Sequence, residues 1–280
     1  MQVKKISFLG LPSSGKSTFL AALWHLILTD EVECPLSLNG FTSDYPYLNS
    51  IHSHWIDGNP LHRTSMESEQ IAELNLIQDS SKEQFTLLIP DLSGEEFELQ
   101  LSRKKVKTKT FEMINEATGI VLFLSADKKD GDVYFHQVGK SKKIRKGNVE
   151  NISWDYHLIP TQVKIVELLQ TLMSFPFVKE SYRISFIISA WDVVMEREIT
   201  PDTWIKEEYP LLQQFLETNS KFFLAKIYGV SAQGGDLNDP KKKLDLTSMY
   251  TASERIICHD GNNLTHDITK PLIWIINGND

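Results

Sequence analysis

Eight residues near the amino terminus constrain this chain more than anything that follows them. Gly10-Leu11-Pro12-Ser13-Ser14-Gly15-Lys16-Ser17 satisfies the GxxxxGK[ST] pattern of a phosphate-binding loop. The pattern carries meaning only between a strand and a helix. Both are written in the flanks: Lys5 to Gly10 is an apolar run of strand length, and Phe19, Leu20, Leu23, Trp24, Ile27 and Leu28 recur at helical spacing from Ser17 to Leu28. Each residue type has its own reason. Gly10 and Gly15 allow backbone turns that a Cβ would block. The amides of Ser13, Ser14, Gly15, Lys16, Ser17 and Thr18 can then aim at phosphate oxygens, aided by the positive end of the helix. Lys16 reaches the β- and γ-phosphates, and the Ser17 hydroxyl ligates Mg²⁺. Pro12 brings no N–H, so one donor is missing from this cradle. The expected ligand is a nucleoside triphosphate with Mg²⁺.

The rest of the chain alternates strands and helices. Ile71–Gln78 and Gln84–Asp91 read as adjacent strands joined by a polar turn at Asp79-Ser80-Ser81-Lys82. Gly119–Ser125 is a short continuous apolar run, as a central parallel strand requires. Arg183–Ala190 and Phe222–Val230 are further strands. Thr161–Met173 is an amphipathic helix behind Pro160, Thr200-Pro201 opens another that Pro210 breaks or restarts, and Ile268–Ile276 closes the chain as an apolar helix. This order predicts an α/β fold: a mostly parallel sheet with helices on both faces. Residues 31–65 show weak periodicity and many Ser, Asn, His, Gly and Pro, and read as a long irregular excursion. Residues 127–157 are rich in Lys, Gly and Asp and read as a second insertion. We expect one domain over 1–280 carrying both.

The 280 residues bear a net charge of −8, which disfavours general attraction to nucleic acid or anionic membrane. Two local basic runs, 103–109 and 140–146, stand against that background. They are either solvated surface or a docking surface for an acidic partner or nucleic acid. The two cysteines, Cys34 and Cys258, form no CxxC pair, and no apolar run approaches the roughly 20 residues that span a bilayer. With a strand starting at Val3 in place of a signal core, a soluble cytoplasmic protein is expected.

Three later segments refine the ligand. Leu87-Leu88-Ile89-Pro90-Asp91-Leu92-Ser93-Gly94 is an apolar strand ending in Asp-x-x-Gly. Asp91 can hold Mg²⁺ through water, and Gly94 can offer its N–H to a γ-phosphate and hinge a switch. An ATPase would more often place a second acid directly after the Asp; Leu92 stands there instead. Thr64 lies where a switch threonine would complete the Mg²⁺ shell, and Arg63 beside it could stabilise developing charge, an ordinary loop being the other reading of both. Asp192, after Ser189-Ala190-Trp191, ends one strand, and Ser231-Ala232 ends the next. In a Ras-like fold those two positions form the base pocket: an Asp carboxylate there accepts from both guanine N–H donors, a pair that adenine lacks, and the Ala232 N–H would face the guanine carbonyl.

Taken in this order, the segments Gly10–Ser17, Asp91–Gly94, Ser189–Asp192 and Ser231–Ala232 resemble the translation-factor-like (TRAFAC) class of P-loop GTPases over most of the chain. Arg63-Thr64, Trp191-Asp192 and the stretch from Ser253-Glu254-Arg255 to Pro271-Leu272 most resemble the bacterial double-GTPase type of conflict and phage-defence loci. The resemblance implies a Ras-like fold, GTP and GDP with Mg²⁺, and a protein partner encoded nearby that reads the nucleotide state. Two departures stand out. Ala190-Trp191 replaces the Lys-x that normally covers the guanine, and Glu95 stands where relatives carry Gln or His to orient water. A carboxylate there accepts a proton but repels the γ-phosphate, so slow intrinsic hydrolysis is expected. A nucleotide-binding scaffold with little hydrolysis, or an ATP-using enzyme, are the alternatives. His52, His54 and His62 lack the companions of a zinc set and read as structural or solvated. The aromatic-rich segment from Phe215 to Tyr228 reads as core.

Overall fold

A computed structural model describes residues 3–29, 31–40, 44–61, 71–90, 94–127, 156, 159–177 and 179–278, without the side chains of 94–97. Arg63, Thr64, Asp91, His62, the basic run 140–146 and nearly all of the second insertion lie outside the described residues, as does the side chain of Glu95.

The chain runs β1 (Lys4–Gly10), α1 (Lys16–Leu28), β2 (Leu36–Leu38), α2 (Tyr45–Ile56), β3 (Ile71–Gln78), β4 (Gln84–Pro90), α3 (Gly94–Ser102), α4 (Thr108–Glu116) and β5 (Gly119–Ser125). It continues with α5 (Thr161–Leu172), β6 (Tyr182–Ser189), α6 (Pro201–Glu208), α7 (Pro210–Thr218), β7 (Phe223–Ser231) and α8 (Pro240–Thr247). It closes with β8 (Ile257–His259), β9 (Leu264–Thr265) and α9 (Lys270–Asn277). The strands form one sheet in the order β2-β3-β4-β1-β5-β6-β7-β8-β9. From β4 to β7 all neighbours are parallel, and the strands outside that centre are antiparallel on both margins.

Period-two alternation sorts the strand residues onto two cores. In β5, Val121 and Phe123 join the core of α1, α2 and α9, whereas Ile120, Leu122 and Leu124 join that of α5, α6 and α7. All seven residues of β5 are buried, as its unbroken apolar run required. Helices thus cover both faces. Pro210 restarts a helix as expected: α6 is capped by the Thr200 hydroxyl, which accepts from Thr203 N at 3.2 Å, and α7 begins at Pro210 itself.

The excursion expected over 31–65 is corrected in part, since it contains β2 and the twelve-residue helix α2. Its apolar stripe is only Leu48, Ile51 and Trp55, set among Asn, Ser and His of modest helix propensity. Packing supplies what propensity lacks. Trp24 of α1 donates its indole N–H to Asn49 Oδ1 at 3.0 Å and meets the Tyr45 ring edge-on at 5.3 Å. On the opposite face of the chain's organisation, α3 is tied to α5 by a buried ion pair, Lys164 Nζ to Glu98 Oε1 at 2.6 Å.

The last helix lies directly over the central strand. A Cβ on Gly119 would stand 2.2 Å from Ile275 Cγ2 of α9. Gly119→Ala should therefore destabilise the fold by about 1–3 kcal/mol, the usual cost of overpacking. A urea unfolding midpoint equal to or above that of the wild type would contradict this packing.

Candidate functional site

Because β4, β1, β5, β6 and β7 are parallel, their carboxyl ends gather on one edge, where open α/β sheets bind ligands. The phosphate loop follows β1, the start of α3 at Gly94 follows β4, Asp192 follows β6, and Ser231-Ala232 ends β7.

The loop has the backbone that its glycines promised. Gly15 sits at φ +89°, in the left-handed region, and a Cβ there would lie 2.7 Å from Ser189 Cβ. A Cβ on Gly10 would meet Ser14 Oγ at 2.6 Å and Phe123 Cβ at 3.0 Å. Gly15 is also the N-cap of α1, with no side-chain cap and no acidic residue in the first turn. The opening N–H groups of an α-helix have no intrahelical acceptor, so a positive, donor-rich end faces the loop. Lys16 Nζ donates to Gly10 O at 2.8 Å, Leu11 O at 2.9 Å and Ser14 Oγ at 3.3 Å, which holds its charge on the loop. Ser13 and Ser17 are exposed and Thr18 half-buried on this stretch. The donor set fits a polyphosphate. Of the three expected Mg²⁺ ligands, Ser17 is described, while Thr64 and Asp91 lie outside the described residues.

The second cluster is built by the ends of β6 and β7. Ala190, at φ 53°, turns the chain into a 3₁₀ turn over Trp191–Val193 that carries Asp192. Trp191 is buried against Gly229, where a Cβ would stand 2.3 Å from Trp191 Cδ2. It anchors the turn from beneath, with its ring 5.9 Å from that of His259. Ser231 donates its hydroxyl to Asp192 Oδ1 and accepts from Gly234 N at 3.1 Å. Asp192, Ser231 and Ala232, 39 and more residues apart in sequence, are thus brought together.

Sequence reasoning missed the residues behind this cluster. Trp55 Nε1 of α2 donates to Ala232 O at 2.8 Å, a buried bond across 177 positions. The Arg255 guanidinium lies 3.7 Å from the centroid of the Trp55 ring and donates to Trp55 O. Burial lowers the pKa of Arg255 to about 10. His52 shares a hydrogen bond with buried His25 at 3.0 Å, and His25 meets Glu31 Oε2 at 2.9 Å. Burial, and then the charge of His25, hold His52 below its ordinary range. Glu31 also accepts from Ser253 N and Oγ, each at 2.9 Å. Its hydrogen bonds outweigh the upward push of burial and leave its pKa lowered. No periodic pattern links these positions, so only the fold reveals them. Of the run 103–109, residues 103–107 form the turn between α3 and α4, exposed except for half-buried Lys107, and Lys109 lies in the first turn of α4. Among the described residues, no helix is long and apolar enough to cross a membrane.

Comparison with known proteins gives this geometry a family. Among curated proteins none matches the sequence. Solved structures that align include the bacterial selenocysteine-specific elongation factor EF-Sec (14% identity, 88% of this chain, 28% of that one, TM-score 0.37). Another is the signal recognition particle receptor SRb-GTP/SRX complex from Chaetomium thermophilum (14% identity, 84% of this chain, 94% of that one, TM-score 0.42). A third is the GTP-bound Ski7 GTPase-like domain of S. cerevisiae (16% identity, 83% of this chain, 43% of that one, TM-score 0.39). This chain thus spans well under two thirds of the elongation factor it aligns with. The sequence itself matches the Double-GTPase 1 family over residues 7–275, and the chain belongs to that GTP-binding GTPase family.

Proposed function

We propose that this protein is a Mg²⁺-dependent GTPase switch with slow intrinsic hydrolysis, whose nucleotide state is read by a partner protein encoded nearby in a bacterial defence or conflict system. The observation that carries the guanine part is the Asp192–Ser231 hydrogen bond with Ala232 beside it, on the sheet edge that also bears the phosphate loop. Under this reading the loop amides and Lys16 hold the triphosphate. Ser17, Thr64 and Asp91 would hold Mg²⁺, which would supply charge neutralisation to the triphosphate. Asp192 accepts from the two guanine donors, Ser231 holds that carboxylate in place, and the Ala232 N–H meets the guanine carbonyl. Gly94 opens α3 and hinges it, Glu95 faces the attacking water, and Arg63 stabilises charge as the bond breaks.

The partner assignment is supported by the position of α3. That helix follows the Asp91–Gly94 segment, is braced by the Glu98–Lys164 ion pair, and leads into the basic turn at 103–107. An acidic face on the partner would complement the turn, and nucleic acid is the competing ligand for it.

Asp192→Asn should weaken binding of fluorescent GDP by about 10–100-fold, as loss of a charged acceptor to paired donors does. Inhibition of that binding by inorganic pyrophosphate should be unchanged. Equal GTP and ATP affinities in the wild type, or no change in the variant, would remove Asp192 from the base pocket. Gly15→Ala combines the φ of +89° with the 2.7 Å contact to Ser189, and should abolish nucleotide binding in equilibrium titrations. Single-turnover hydrolysis by the protein alone should run below about 1 s⁻¹, the lower end of ordinary enzyme turnover. A faster rate would rule out the slow-switch assignment.

A further inference from the structure

Helix α2 is bonded both to α1 and to the base side of the site. It meets α1 near that helix's carboxyl end, away from the phosphate loop, through Asn49 to Trp24 Nε1 (3.0 Å) and His52 to His25 (3.0 Å). Toward the base side, Trp55 Nε1 holds the Ala232 carbonyl at 2.8 Å. The donor itself is immobilised. Arg255 stacks 3.7 Å from the Trp55 ring centroid and bonds its carbonyl, while the backbone of Arg255 closes on the loop, where a Cβ on Gly234 would lie 2.7 Å from Arg255 O. Gly234 N in turn donates to Ser231 Oγ, the group bonded to Asp192. The loop 231–234 is therefore held by Asp192 at Ser231, by the Arg255 backbone at Gly234 and by an indole N–H of α2 at Ala232. A buried carbonyl deprived of its donor turns to find another, and rotation at Ala232 moves the neighbouring Ser231–Ala232 amide with it.

We infer that Trp55 is a positioning residue for nucleobase recognition, so that displacing α2 loosens the base while leaving the phosphate loop intact. The inference rests on the proposed guanine pocket and goes beyond it. It makes α2, which lies seven residues before Arg63, the element by which a partner can speed nucleotide release.

The experiment uses the full chain and a fluorescent GDP. Trp55→Phe keeps a ring beneath Arg255 and removes the N–H; dissociation should accelerate by about tenfold, the loss expected for one well-placed hydrogen bond. Competition by inorganic pyrophosphate should stay within about twofold of the wild type, since the phosphate loop does not depend on this bond. Site-specific replacement of Trp55 by 3-benzothienylalanine keeps the bicyclic shape, lacks only the donor, and should reproduce the faster release even if the phenylalanine variant folds poorly. An unchanged GDP off-rate in the benzothienyl protein overturns the inference. So does an equal loss for GDP and pyrophosphate, which would mark a general structural role. Wild-type protein that holds no labelled GDP overturns the guanine reading together with this one, whereas wild-type binding with unchanged variants overturns this one alone.

Discussion

Gly15 and Ser189 approach so closely that no side chain fits between them, and this contact sets the distance between the two halves of the site. Gly15 closes the phosphate loop and caps α1; Ser189 ends β6, three residues before Asp192. Because β1 and β6 flank β5 in parallel, the two strand ends lie two strands apart, and the loop must arch over β5 to touch Ser189. Ser189 also bonds Ser125 at the end of β5, at 3.4 Å, so three successive strand ends form one rigid rim. A hydroxyl and a glycine do this work because anything larger would push the loop off the sheet. On the proposed reading, the spacing between the phosphates and the base is then a property of the sheet rather than of flexible loops.

Behind that rim the described residues place a network of paired polar groups in the interior. Glu31 collects His25, Ser253 N and Ser253 Oγ, while His52 extends the chain to α2. Such networks hold one arrangement well when every member is satisfied, and favour none when a member is lost. Arg255 is the demanding case: it is buried, its pKa is lowered to about 10 by that burial, and its Nε finds no partner among the described residues. Its stacking on Trp55 and its bonds to the carbonyls at the end of α2 offset that cost. The loop at Ala232 is thus bonded to α2, and α2 in turn is held by contacts from Arg255 about 200 positions away.

How much of this could be read from the chain follows from the range of the forces involved. The strands β1, β5, β6 and β7 were legible because burial on both faces demands unbroken apolar runs, and α6 and α7 because Pro201 and Pro210 punctuate them. The strand–loop–helix setting of the phosphate loop was legible because its glycine-bounded turn tolerates few residue types. Helix α2 was harder to read: Leu48, Ile51 and Trp55 do fall at helical spacing, but they stand among Asn, Ser and His of modest helix propensity, and its packing comes from Trp24 and from Arg255 and Ala232 far along the chain. The antiparallel strands β8 and β9 escaped notice because at three and two residues they are too short to show alternation. His52 read as one of three loop histidines, and only its partner His25, buried on α1, gives it a structural role.

The position of Trp191 bears on how guanine could be chosen without the usual lysine stem. That stem contributes apolar cover over the base, which improves affinity for any purine and distinguishes guanine only weakly. Discrimination comes from the carboxylate, because a site built to accept two hydrogen bonds leaves a charge unpaired when adenine occupies it, and such mismatches weigh far more than lost apolar contact. Trp191 does not take over the cover. It is buried beneath the turn against Gly229, and Ala190 alone occupies the lysine's place. What Trp191 does is fix the 3₁₀ turn from below while Ser231 fixes the carboxylate from the side. On the proposed reading, the site has exchanged apolar cover above the base for rigidity beneath its acceptor. Weaker binding of purines in general, with the guanine preference retained, is the consequence of that exchange.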